Sequence, residues 1–322
     1  MPMDKKTKNI IQYVFWAAVS VVLVWFCVKA INWKDVLVAL KLCKWGYVLA
    51  AFLVGSIFIA VRGLRWHMLI KPIDPGISVA NVVNAYGIGF LANLVLPRAG
   101  ELVKIGYVVR NSKHSWDAIL GTYIVEKGID ALFLGGMTLA FVLGTWGKIG
   151  LTFGGHGHLL WYAAAVVILA AAFIVLCYAL KSRGGIWGKC WGFISGIGKG
   201  LKSFRQMENP GLFLLYTVAI WASCWLVSAL IIWSIQDIEP FTSLTWADAF
   251  NLTVAGSIST LIPVPGGFGA YHGAVATLIQ ALHDIPMGSG MVYATLNHES
   301  QVLSQVIMGL IGYINESFFR KK

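Results

Sequence analysis

The sequence predicts an all-α polytopic membrane protein with about six full transmembrane helices and two re-entrant helical hairpins broken by Pro and Gly. Three observations lead there. Of 322 residues, 58% are hydrophobic and only 12% are charged, where a soluble domain carries roughly 25% charged residues. Several apolar stretches exceed the roughly 18 residues that mark a spanning helix. Two further apolar runs are interrupted at comparable places in two halves of the chain, at 93–104 (NLVLPRAGELVK) and 263–272 (PVPGGFGAYH).

The net charge of +11 does not indicate nucleic acid. The Lys and Arg residues fall in short loops between apolar runs, where they set topology and attract anionic headgroups. Cys27, Cys43, Cys177, Cys190 and Cys224 are scattered, without CxxC spacing, and imply packing rather than disulfides. No cofactor motif is present.

The elements follow in order. Lys5, Lys6 and Lys8 precede a first span near Ile10–Ile31. It exceeds the ~7–15 residues of a signal-peptide core, and no small-residue cleavage site follows, so it reads as uncleaved. Lys34 to Lys44, with Val36, Leu37, Leu40 and Leu42, reads as a helix lying in the interface. A second span covers Trp45–Val61 and ends at a basic, aromatic edge of Arg62, Arg65, Trp66 and His67. The first broken segment, Val79–Val109, is apolar before Pro97 and amphipathic after it. Asp117 caps a span to Gly144. A Gly-rich loop with His156 and His158 leads to a span near Leu159–Leu180.

Lys181 to Arg205 holds six basic residues and no acidic one, interleaved with Trp187, Trp191, Phe193 and Phe204. That composition fits a cytoplasmic interfacial helix, within a basic segment extending over 181–210. A span from Gly211 to Trp233 follows, then the second broken segment, Trp246–Leu282, and a last span, Met291–Ile314.

If each broken segment enters and leaves by one side, the basic loops at Lys5, Arg62, Lys113, Lys181 and Arg320 all lie on one side. The positive-inside rule makes that side cytoplasmic, places both termini there and locates the protein in the cytoplasmic membrane. Only Lys34, Lys41 and Lys44 resist. One hairpin then dips in from the cytoplasm and the other from outside. The chain forms one integral domain whose halves, 1–145 and 159–322, share an echo of Asn84–Pro97 in Asn251–Pro263. Either an inverted repeat or chance in apolar sequence accounts for it.

Glu126, Lys127 and Asp130 sit near the middle of one span. A central charge costs roughly 2.5–3.5 kcal/mol on insertion scales, and an aliphatic residue returns only about 0.3–0.6. This helix therefore does not face lipid all round. Glu126 and Asp130 share a face, and Lys127 and Asp130 are spaced to pair. The three make either a structural ion pair between helices or the charged wall of a polar cavity.

Arg98, Glu101 and Lys104 follow Pro97 at three-residue spacing. Pro97 suits a helix's first turn, where free amide N–H groups and an Arg can hold a phosphate. The alternative is an Arg98–Glu101 pair. Pro263, Pro265, Gly266, Gly267 and Gly269 forbid a continuous helix, and Gly permits close approach to a ligand or to a packed helix. His272 and His298 lie in apolar surroundings, as core residues or as proton carriers. There is no GxxxxGK[ST] loop, and Val302 stands where an HExxH motif needs its second His. No nucleotide, zinc or nucleophile motif marks an enzyme, and no metal is assigned. His156 and His158 read as solvated.

In these residues the chain resembles the lysylphosphatidylglycerol synthase transmembrane family, a flippase-like membrane domain. Arg62 with Trp66, Asn93–Glu101, Glu126-Lys127 with Asp130, and Pro263–Gly269 carry the likeness across nearly the whole chain. The resemblance implies a lipid flippase fold; some members move aminoacylated phosphatidylglycerol, and others handle polyprenyl-linked lipids. The soluble aminoacyl-transferase domain of full-length synthases does not occur in this sequence. Lys127 stands where many members have Arg, His272 where a Glu often follows the PGGxG turn, and His298 near a usual Arg. If the two histidines touch, an acid–base pair has become an imidazole pair.

The expected function is translocation of a polar-headed lipid, anionic, aminoacylated or polyprenyl-linked. Arg62, Asn93, Pro97, Arg98, Lys104, Lys127 and the PVPGGFG turn would surround the headgroup, with Glu101, Glu126 and Asp130 balancing charge. Two other classes stay open. One is a membrane enzyme acting on a lipid phosphate through Glu126 and Asp130. The other is a non-catalytic partner of a separate lipid-modifying synthase, docking through Lys181–Arg205. Membrane lipids are the expected partners, alongside such an enzyme or a second copy of the chain.

Overall fold

A computed structural model describes residues 33–145 and 208–319, with 175–180 and a few single positions besides. The first span, the His156–His158 loop, most of the Leu159–Leu180 span and nearly all of Lys181–Arg205 lie outside the described residues.

Among the described residues the chain is helical, without strands. The helices are α1 (Trp33–Leu42), α2 (Trp45–Ile70), α3 (Val79–Val95), α4 (Ala99–Arg110), α5 (Trp116–Gly144), α6 (Pro210–Ile235), α7 (Trp246–Ser259), α8 (Ala270–His283) and α9 (Met287–Phe319). Of these, α2, α5 and α6 are long and apolar enough to cross a membrane. Their outward faces carry Leu49, Leu53, Leu132, Leu139, Leu215 and Val218, all exposed, as lipid contact requires.

Helix α2 runs antiparallel to α6. The Lys44 amide donates to the Ser234 carbonyl at one end, and Arg65 reaches Thr217 towards the other. Outside the spans, Lys44 also pairs with Asp237, whose hydrogen bond and charge raise the Lys44 pKa. That pairing offsets one of the charges that resisted the positive-inside assignment.

Both predicted hairpins are present. Helices α3 and α4 pack against each other around the break at Pro97, and α7 and α8 pack around the Pro263–Gly269 turn. The first hairpin needs glycine at its waist: a Cβ on Gly100 would run into the Gly89 carbonyl and Asn93. The second turns through Gly266, Gly267 and Gly269, all at positive φ. A contact between His283 Nε2 and Asp248 Oδ1 at 2.9 Å closes its base.

Helix α9 is the spine that both hairpins share, about 50 Å long at 1.5 Å per residue. Along it, Gly290 lies against Ala276 of α8, and His298 meets the Gly266 turn. Gly309 then abuts Leu91, Asn315 bonds Asn84, and Glu316 pairs with Arg110. The base of one hairpin lies near one end of α9, and the base of the other near the opposite end. The tips meet between them, where the Arg98 guanidinium donates to the Leu261 carbonyl at 3.0 Å. Opposed hairpins, expected from loop charges, are what the helix packing gives.

Four boundaries differ from expectation. Helix α2 continues to Ile70 instead of ending at Val61, because carboxylates on α5 supply counter-charges that let its arginines stay inside. Arg62, Arg65 and Trp66 are therefore not a membrane edge. Ser115 is the N-cap of α5, and Asp117 sits in its first turn, where a negative charge suits the dipole. Pro97 precedes α4, with Arg98 as the N-cap at φ +60°. Helix α9 begins at Met287, and Asn297, His298, Glu299 and Gln301 interrupt its apolar run.

Candidate functional site

The described helices bury an ion cluster drawn from three of them. Arg65 of α2 is fully buried. Its Nη2 lies 2.6 Å from Asp130 Oδ1 and 3.2 Å from Glu126 Oε1, and its Nη1 donates to Thr217 Oγ1 at 3.3 Å. Arg62, one turn earlier, donates to Asp130 Oδ2 at 2.6 Å. The Tyr86 hydroxyl of α3 donates to Glu126 Oε1. Spacing of i,i+3 on α2 thus meets spacing of i,i+4 on α5, so each helix turns one charged face towards the other.

Lys104 of α4 completes the cluster. Its Nζ lies 3.7 Å from Glu126 Oε2, inside a box of Tyr86, Tyr123 and Trp66 rings at 3.8, 4.8 and 5.0 Å. Desolvated cation–π contacts of this kind are worth about 2 kcal/mol or more. Lys127 extends over the Tyr123 ring at 5.6 Å. The expected Lys127–Asp130 pair does not form, because Arg62 and Arg65 occupy both Asp130 oxygens.

The hydrogen bonding is incomplete. Arg62 Nε, Arg65 Nε, Glu101 Oε2 and Glu126 Oε2 are buried without a hydrogen-bond partner. Buried polar atoms are normally paired, so four orphans around one cluster mark a polar cluster with unmet demand. Arg62, Arg65, Lys104 and Lys127 outnumber Glu101, Glu126 and Asp130 there, and the balance is cationic.

Arg98 stands apart from this cluster at the hairpin junction, exposed. It bonds Leu261 in preference to Glu101. The Gly100 amide is held by Asn93 Oδ1 at 2.8 Å, so Asn93 occupies one of the N–H groups expected to face a phosphate.

On the second hairpin, the His298 Nε2 sits 2.8 Å from the Gly266 carbonyl, and the His272 and His298 ring centroids lie 4.8 Å apart. The two imidazoles do touch. The Pro265–Gly267 turn brings Gly267 beside His298.

Sequence reasoning missed Arg65, Tyr86 and Thr217 as members of the cluster, and Glu299 beside His298. The signal for Arg65 was its i,i+3 spacing from Arg62 inside an apolar helix. The signal for Glu299 was a charge within a span.

No curated protein and no solved structure matches the chain. The family model for the lysylphosphatidylglycerol synthase TM region matches residues 13–309. This integral membrane protein belongs to the lysylphosphatidylglycerol synthase transmembrane-region family, whose members are membrane proteins of lipid handling.

Proposed function

We propose that this protein translocates an anionic or aminoacylated lipid across the cytoplasmic membrane, with both termini in the cytoplasm. The observation that carries the reading is the cation-rich, incompletely bonded cluster, which is joined through α4 to the point where two opposed hairpins touch. A phosphate headgroup fits it chemically. Arg98 offers a guanidinium at the junction, and Lys104 and Lys127 a second and third positive charge further in. Glu101, with one orphan oxygen, can receive the ammonium of an aminoacyl group. The acyl tails stay in the bilayer while the headgroup passes between the hairpins.

Reconstituted liposomes test this. Headgroup-labelled phosphatidylglycerol or its lysyl ester should become accessible to a membrane-impermeant quencher faster with the protein than without it. Phosphatidylcholine should gain less. Arg98→Ala should slow the anionic lipid about tenfold while retaining the parent's melting temperature to within a few degrees, whereas Lys104→Met should slow it and also lower the melting temperature, because it strands buried Glu126. Equal rates for all headgroups, or full activity in both variants, would remove the cluster from the mechanism. Chemical conversion of the lipid in detergent would instead favour an enzyme.

A further inference from the structure

We propose that the tip of the second hairpin is a transition-metal site, in which His272, His298 and Glu299 bind one divalent ion of the zinc class. The inference is independent of lipid transport.

The argument starts from the His298 ring. Its Nε2 lies 2.8 Å from the Gly266 carbonyl, which can only accept, so Nε2 carries the hydrogen. In the neutral ring Nδ1 is then a lone pair, and it points at Glu299 Oε1 from 3.1 Å. An ionised carboxylate is an acceptor too. Two acceptors at this distance repel unless a cation stands between or beside them.

His272 supplies a second, separate observation. It is 7% exposed, and its Nδ1 is buried without a hydrogen-bond partner. A nitrogen of each imidazole and an oxygen of Glu299 lie within 4.8 Å of one another. A proton shared by His298 and Glu299 would settle that pair and leave His272 unmet. A metal ion satisfies all three.

The set of two imidazoles and one carboxylate, with a fourth position open, is one that Zn²⁺ takes at bond lengths of about 2.0–2.2 Å. Tetrahedral ligands stand roughly 3.4 Å apart; His298 Nδ1 and Glu299 Oε1 are already at 3.1 Å, and a pair as wide as 4.8 Å would close by about 1.4 Å through side-chain rotation. The Gly266 carbonyl already performs the outer-shell task of fixing a ligand's tautomer. The rings of Phe268 and Tyr271, 4.8 and 5.3 Å from His298, wall the site. A bound dication also offsets the cost of Glu299 within an apolar helix. Because His298 and Glu299 belong to α9 and His272 to α8, the ion would fasten the hairpin tip to the spine.

The test uses the full chain in detergent, stripped with a chelator and titrated with Co²⁺ and then Zn²⁺. Wild type should take up one Co²⁺ per chain with the absorption bands of tetrahedral cobalt, lose them to Zn²⁺, and melt at a higher temperature with either metal. Glu299→Gln and His272→Asn should each weaken uptake by at least about tenfold and abolish the metal-induced rise in melting temperature. Their melting in chelator should match the parent's, which separates lost binding from lost fold. Absence of the cobalt bands in wild type, or uptake undiminished in the double variant, overturns the site.

Discussion

At the residue scale, Arg65 decides whether the core is stable. It is fully enclosed and contacts both Glu126 and Asp130, so removing it leaves two carboxylates short of a counter-charge. Breaking a buried ion pair from one side costs about 3–5 kcal/mol. Arg65→Met should therefore lower the melting temperature in detergent markedly. The double variant Arg65→Met with Glu126→Gln should recover part of the loss, because one of the stranded charges is gone. If the two substitutions simply add, the ions do not act as one network. Arg65 also shows why the cluster was only half legible. Glu126 and Asp130 announce themselves by charge in an apolar span, a local property. Arg65 looks like a membrane border until α5, 61 residues away, is brought beside it. Lys104 was legible as a site residue three places after Glu101, but its aromatic box was not, since that comes from α2, α3 and α5.

At the element scale, the hairpins were readable because Pro and Gly act on their own backbone. Pro97 and the PVPGGFG turn break helices wherever they occur. That the hairpins enter from opposite ends was also readable, from loop charges. What no local rule contains is their contact, Arg98 to the Leu261 carbonyl and Leu94 to the Gly266 turn. In a variant whose native cysteines are Ala, Leu94→Cys with Pro265→Cys should be bridged by a short bifunctional thiol reagent, since the Val79–Val95 helix packs on the Pro265–Gly267 turn. Bridging should stop lipid movement and leave helix content unchanged by circular dichroism. Reaction of each thiol singly, with no bridged product, would mean that the tips do not meet.

At the scale of the whole molecule, two ends are distinguished by their loops. One carries Lys71, Arg110 and Lys113; the other carries Asp237, Glu239 and Asp284. In the cysteine-free background, Lys113→Cys should react with an impermeant maleimide only after the cells are opened, and Ser243→Cys in intact cells. The reverse pattern would invert the proposed orientation and with it the direction from which each hairpin enters. The fold class was legible at this scale because scarcity of charge is a bulk property of the sequence. The length of α9 was not, since Asn297 to Gln301 make it look shorter and less apolar than it is.

That single long rod has a mechanical corollary. Two wedges point towards each other from its opposite ends, and both are packed on it. Sliding the rod along its own axis would press one wedge inwards while easing the other back. The two doorways would then be geared in antiphase, so a passenger would find one shut whenever its counterpart stood ajar.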